Sequence, residues 1–250
     1  MAMDSDVPII ETAMQGWRDA LAARERMPML FWIAGAVVIG VGILHVIVGE
    51  GLLLSLIFAI AQAAALTPLA IGVHRFVLLG EAHDGYDFAF GDARFQKFLM
   101  YIVALEVLRE LPRVVAFPFA FVAGFLHGVV LIVLAVVAAV ISVRCMILFA
   151  AIAVDAPGAD WRNAIADSKG HSWRIFLVLL CTVAPAMIVA VVVTMILGFS
   201  LLTAELAVGV ILPAIIVALT AALAAVVSRL FAAYSSQLGR PGNLYLRPAV

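Results

Sequence analysis

Long apolar segments separated by short polar ones run along almost the whole chain. Six of them are predicted to be membrane-spanning helices, at about 29–48, 52–76, 97–122, 129–151, 175–199 and 206–233. Each has about the 20 residues that a helix needs to cross a bilayer. The pattern therefore predicts an all-α, polytopic membrane protein in which six transmembrane helices form three hairpins within a single domain, 1–250.

Amphipathic helices at the membrane surface are predicted to lead into the hairpins. In 9–26, apolar residues recur at helical spacing: Ile10, Ala13, Met14, Trp17 and Leu21. The charged residues Arg18, Asp19, Arg24 and Glu25 fall on other faces of this helix. Similar lead-ins, each with an aromatic and a basic residue, occur at Phe95-Gln96-Lys97 and Trp161-Arg162. The chain is therefore predicted to consist of a cytoplasmic amphipathic segment at 1–28, a six-helix bundle at 29–233 and a cytoplasmic tail at 234–250.

Composition supports a membrane location and limits the function. Hydrophobic residues make up 66% of the chain and charged residues only 12%, against about 25% charged in soluble domains. Six spans with their connectors leave no room for a soluble catalytic domain. The net charge is −1 without an extended basic run, so nucleic acid is not expected as a partner. The expected partners are membrane lipids, with another membrane protein as a further candidate, and no cofactor or metal is expected.

The positive charges alternate between the ends of the predicted spans. Of the 15 Lys and Arg residues, all except Arg109 and Arg113 lie at the N-terminus, in the 2–3 and 4–5 connectors or at the C-terminus. The other three connectors have none. Because connectors rich in Lys and Arg stay in the cytoplasm, both termini are predicted to be cytoplasmic.

Three arginines occupy equivalent positions in the hairpins. Arg75, Arg144 and Arg229 each lie near the predicted cytoplasmic end of the second span of a hairpin, within one or two residues after a valine. One interpretation is that they extend toward lipid headgroups, as arginines at span ends do. The other is that the chain contains three copies of an ancestral hairpin.

Two of these arginines lie in segments that resemble a known family. The segments are 70–81, with His74-Arg75, and 143–155, with Val143-Arg144, followed by Trp161-Arg162-Asn163-Ala164 and Gly170-His171-Ser172-Trp173-Arg174. They are similar to the six-helix membrane domain attached to some bacterial glycerophosphodiester phosphodiesterases, which also occurs alone in membrane proteins of unknown function. The resemblance implies a membrane module of the bacterial inner membrane without the catalytic barrel.

The third span contains the strongest candidate site. Glu106, Arg109, Glu110 and Arg113 (the charged stripe) are spaced i, i+3, i+4 and i+7, so they share one helix face. At about 1.5 Å per residue they lie roughly 14 to 24 Å from Lys97, in the middle of a bilayer core about 30 Å thick. Each uncompensated charge there costs about 2.5–3.5 kcal/mol, so we expect the pairs Glu106–Arg109 and Glu110–Arg113.

The charged stripe allows three interpretations. It is an ion-pair network that clamps the third span to its neighbours, a segment that tilts into the interface, or the lining of a polar cavity. The leading functional hypothesis is a non-enzymatic inner-membrane protein that interacts with lipids or acts as a scaffold for a partner. The alternatives are a small transporter that uses the charged stripe and, third, a membrane-embedded lipid enzyme. No catalytic signature is present.

Overall fold

The computed structural model describes residues 7–48, 51–121, 124–197 and 210–239. All regular elements in these ranges are helical: α1 (Ile9–Arg26), α2 (Pro28–Val48), α3 (Leu52–Leu79), α4 (Ala93–Ala116), α5 (Gly124–Ala153), α6 (Trp161–Asp167), α7 (Ser172–Leu197) and α8 (Leu212–Tyr234). A short 3-10 helix, Phe117–Phe121, follows α4. The prediction of an all-α polytopic membrane protein is confirmed.

Five of these helices are long and apolar enough to cross a bilayer: α2, α3, α5, α7 and α8. The third predicted span coincides with α4, which has 24 residues but contains the charged stripe. By length and composition α4 does not qualify as a span, so a sixth crossing stays a prediction.

Consecutive long helices form the predicted hairpins, because α2 packs on α3, α4 on α5 and α7 on α8. Helix α8 contacts α1, α2, α3, α5 and α7 and is the most buried of the five candidate spans. It is therefore the central helix of the described bundle.

The bundle is tightly packed at one end. This arginine end is where α2, α4 and α7 begin and where α3, α5 and α8 finish. Core residues concentrate there, such as Val77 in α3, Ala150 in α5 and Leu230 in α8, each fully buried. Toward the other end apolar side chains such as Ile47 and Met195 are exposed.

One of the three predicted lead-ins is continuous with the helix that follows it. Helix α1 has the predicted bounds and α6 is a separate helix, but the lead-in at Phe95–Lys97 is the first part of α4. Asp92 explains this continuity, because its side chain accepts a hydrogen bond from Arg94 N–H and so caps the N-terminus of α4.

The fourth span, predicted to begin at about 129, begins earlier in the structure, because Gly124, His127 and Gly128 already belong to α5. The His127 ring nitrogen Nδ1 lies 2.8 Å from the carbonyl oxygen of Ala116, the last residue of α4. This contact gives the carbonyl oxygen at the end of α4 a polar partner in the first turn of α5. Helix α5 can therefore begin at Gly124 rather than at Val129.

Helix α1 buries a small and polar face rather than its apolar one. Ile10, Met14 and Leu21 are exposed, whereas Gly16 and Asp19 are buried. A Cβ atom added at Gly16 would overlap the side chain of Val226 in α8. Asp19 lies on a face other than the apolar one, as expected, and this face is buried because the close approach to α8 that Gly16 allows encloses Asp19.

The chain after α8 is bound to α6. Asp167, the last residue of α6, accepts hydrogen bonds from the backbone N–H groups of Ser236, Gln237 and Leu238 at 2.9 to 3.0 Å. Burial by itself raises the pKa of Asp167, but these donors more than offset it, and the pKa lies below its usual range. Asp167 therefore remains a charged acceptor that fixes the chain after α8.

The close contact at Gly16 predicts that a larger side chain at this position destabilises the protein. We expect Gly16→Ala to lower the free energy of unfolding by about 1–3 kcal/mol, because the extra methyl group overpacks a buried contact. Thermal unfolding of the purified protein in detergent measures this loss. Gly40→Ala is the control, because a Cβ there meets no atom within 4 Å; equal melting temperatures for the two variants would contradict the close α1–α8 contact.

Candidate functional site

The three equivalent arginines each contact a different segment of the protein. The Nε atom of Arg75 donates to Glu81 at 2.8 Å, and its Nη1 atom donates to the carbonyl of Ala153 in α5 at 3.0 Å. The Nε atom of Arg144 donates to Ser172, at the start of α7, at 3.0 Å. Their guanidinium groups therefore connect helices at the arginine end.

The third of these arginines forms a buried ion pair. Arg229 in α8 donates from Nε to Asp19 in α1 at 2.6 Å, and both side chains are largely buried, with 13% and 2% exposure. This pair fixes α1 on the central helix, and the sequence pattern did not indicate it.

An acidic residue that the sequence analysis did not single out links Arg75 to α4. Asp155, just after α5, accepts hydrogen bonds from the Nε and Nη2 atoms of Arg94 at 3.0 and 2.5 Å. Arg75 Nη1 lies 3.7 Å from the same carboxylate. Asp155 has a positive φ of 52°, which a short polar side chain tolerates, and this conformation ends α5 beside both arginines.

The buried Arg229–Asp19 pair predicts that replacing its carboxylate by an uncharged side chain strongly destabilises the protein. We expect Asp19→Asn to reduce the free energy of unfolding by about 3–5 kcal/mol, because it leaves Arg229 charged in a buried position without its carboxylate. Asp87→Asn is the control, since Asp87 pairs with His83 on the exposed surface and such pairs contribute little. Equal thermal stability of the two variants in detergent would show that the Asp19 carboxylate does not hold α1 in place.

The charged stripe forms the two expected ion pairs. Arg109 Nη1 donates to Glu106 at 2.9 Å, and Arg113 Nη1 donates to Glu110 at 2.9 Å. Both pairs lie within α4. Among the described residues neither pair joins α4 to another helix, and the arginine side chains are 63% and 71% exposed. The geometry therefore does not support the interpretation of the charged stripe as a clamp between helices.

The first of these pairs borders two adjoining cavities. One, of about 230 Å³, lies between α3, α4, α5 and α8, and the other, of about 380 Å³, lies between α3, α4 and α8. Both are lined by Glu106, Arg109 and Thr220, and they are together called the central cavity. Glu110 and Arg113 line neither. The structure thus separates the charged stripe into one cavity-lining pair and one pair outside the cavity.

The walls of the central cavity differ in polarity. The smaller part is largely apolar, with Phe98 and Phe149 among its lining residues, and it ends at His74. The larger part also contains Gln62 from α3. The central cavity therefore combines an apolar recess with a polar region around an ion pair.

A third cavity adjoins the central cavity on the side away from the arginine end. It has a volume of about 150 Å³ and shares Gln62 and Ala59 with the larger part of the central cavity. His45 lines it, and Nε2 of His45 is buried without a hydrogen-bond partner among the described residues. Because buried polar atoms are normally hydrogen-bonded, this nitrogen favours a polar occupant such as water.

His74, which lines the smaller part of the central cavity, lies beside a buried serine. His74 Nδ1 lies 2.8 Å from Ser228 Oγ, and Ser228 Oγ donates its one proton to the carbonyl of Ala224 at 2.9 Å. His74 Nδ1 must then be the donor to Ser228. A serine that receives a proton from histidine is not activated as a nucleophile, so this pair gives no support to the enzyme hypothesis.

The polar connector after α3 caps neighbouring helices. Asp84 Oδ1 accepts hydrogen bonds from the N–H groups of Met29 and Leu30 at 2.8 and 3.2 Å, at the start of α2. Tyr86 donates to the carbonyl of Ala65 at 2.7 Å, one turn before Pro68, and burial raises the pKa of Tyr86 to about 12. Within the described ranges no group of three or more His, Cys, Asp or Glu residues is placed to hold a metal ion.

The fold and the site define an all-α membrane protein with a partly polar cavity inside its bundle. No protein-family model, curated protein or solved structure matches the chain. The resemblance to the six-helix membrane domain therefore stays a prediction, as do the function and the partners.

Proposed function

We propose that this chain is a non-enzymatic membrane protein that binds a zwitterionic amphiphile, such as a lipid, in the central cavity. The observation that carries the proposal is the position of the Glu106–Arg109 pair beside an apolar recess. An ammonium group would meet Glu106, a phosphate or carboxylate would meet Arg109, and an apolar tail would occupy the recess. The expected location is the bacterial inner membrane with both termini cytoplasmic, supported by the positive charges at the arginine end.

The arrangement of charges supports binding over scaffolding. A scaffold that depends on the charged stripe needs it to hold helices together, but both ion pairs lie within α4. Glu106 and Arg109 pair with each other on one face of α4 and, among the described residues, with no other helix. Their charges are therefore available to bind a ligand. Ionisable residues within a bundle are functional candidates for the same reason.

The two ion pairs provide a matched test of the proposal. Glu106→Gln with Arg109→Gln removes the cavity-lining pair, and Glu110→Gln with Arg113→Gln removes the outer pair, and both double variants keep the net charge. We expect the first to weaken binding of lysophosphatidylcholine by about tenfold or more, because hydrogen bonds to charged groups contribute about 1.5–3 kcal/mol. Calorimetric titration in a maltoside detergent measures this affinity.

The second double variant is expected to bind like the unmodified protein. Circular dichroism and thermal unfolding establish that both variants are folded. Equal affinity of the two folded variants, or no binding of the probe by the unmodified protein, would contradict the proposal.

Transport is the second candidate function. It is favoured by the third cavity, which adjoins the central cavity on the side away from the arginine end and is lined by His45. At the arginine end the passage is closed by the buried core around Phe98 and Val227. A protein that alternates access needs such a passage open on one side and closed on the other.

A further inference from the structure

A second binding surface lies on the opposite side of α8 from the charged stripe. It is a groove of about 550 Å³ between α1, α2 and α8, called the interfacial groove, and it shares no lining residue with the central cavity. It extends along two turns of α2 and of α8, on the order of 11 Å. This surface is independent of the proposed function.

The interfacial groove has the shape and chemistry of a site for a hydrocarbon chain. Its floor consists of small or apolar residues of α8, including Ala214 and Ala218, and Gly35 opens the wall on α2. A Cβ atom added at Gly35 meets no atom within 4 Å, which leaves space beside the helix. Trp17 and Trp32 flank the groove, and Trp32 is 70% exposed.

A positive charge lies at the α1 end of this apolar groove. Arg24 lines the groove and is exposed, and within the described part of the chain it forms no ion pair. Tryptophan and arginine together are typical of the depth at which lipid headgroups lie. The charge that complements Arg24 at this depth is the phosphate of a lipid.

We propose that the interfacial groove binds an anionic phospholipid, with one acyl chain between α2 and α8 and the headgroup phosphate at Arg24. The lipid fills the space that the small residues leave, and its charge pairs with Arg24, which has no ion-pair partner among the described residues. Such a lipid would contact α1, α2 and α8 together, because all three helices line the groove.

Brominated lipids test this proposal, because bromine quenches tryptophan fluorescence only at close contact. In a Trp161→Phe, Trp173→Phe background, both remaining tryptophans line the groove. The protein is reconstituted in phosphatidylcholine vesicles containing either phosphatidylglycerol or phosphatidylcholine brominated on one acyl chain. We expect about fivefold preference for phosphatidylglycerol, since one arginine near the surface contributes about 1 kcal/mol to binding an anionic lipid.

Matched variants separate the charge from the groove. Arg24→Gln is expected to abolish the preference and Arg26→Gln, on the same helix but outside the groove, to retain it. Gly35→Leu fills the groove and is expected to reduce quenching by both lipids, whereas Gly40→Leu, at an open position of the same helix, leaves it unchanged.

Three results would overturn the proposal. Equal quenching by the two lipids means that the groove does not select an anionic headgroup. An equal loss of preference in Arg24→Gln and Arg26→Gln means general attraction to a basic surface. A Gly35→Leu variant with unchanged quenching but an altered oligomeric state, measured by light scattering, means that a second copy of the chain occupies the groove.

Discussion

A charge inside a membrane protein must find a partner, and this requirement determines how the bundle is built. At the arginine end the partners come from other segments: Arg229 reaches Asp19 in α1, and Arg75 reaches the end of α5. Each such contact brings two elements together, and the fully buried core lies between them. In α4 the charges find their partners within the same helix, so they do not draw another helix toward it.

This difference coincides with a difference in packing. The core is fully buried at the arginine end, whereas a cavity remains beside α4. Where ion pairs cross between helices, small residues such as Gly16 permit close contact. Where the pair Glu106–Arg109 remains on one helix, the central cavity stays beside it, with an apolar recess that ends at His74. The Glu106–Arg109 pair differs from the pairs at the arginine end because both partners lie on one helix, and from Glu110–Arg113 because it lines the central cavity. This position supports the proposed amphiphile site.

Local sequence rules predicted much of the fold, because helix length, apolar content and i, i+3 spacing are local properties. They predicted the bounds of α1 and both ion pairs of the charged stripe. They failed where the partner is distant in the chain, as for Asp19 with Arg229 and Asp155 with Arg94. The small residues Gly16, Ala20 and Ala23 around Asp19 were the signal that this face is buried. Gln62 and Thr220 in the central cavity had no such signal, because single polar residues in apolar helices occur on any face.

Thiol accessibility in intact cells tests most directly whether the Glu106–Arg109 region faces a cavity. After Cys145 and Cys181 are replaced by alanine, single cysteines are placed at Gln62, at Arg109 and, as a control, at the exposed apolar residue Val107 of α4. A membrane-impermeant thiol reagent is predicted to modify positions 62 and 109 but not 107, and added lysophosphatidylcholine is predicted to protect position 62, where the Glu106–Arg109 pair is intact. If positions 62 and 109 remain unmodified in variants that are folded and expressed, the region is closed to water, and the central cavity is not a binding site.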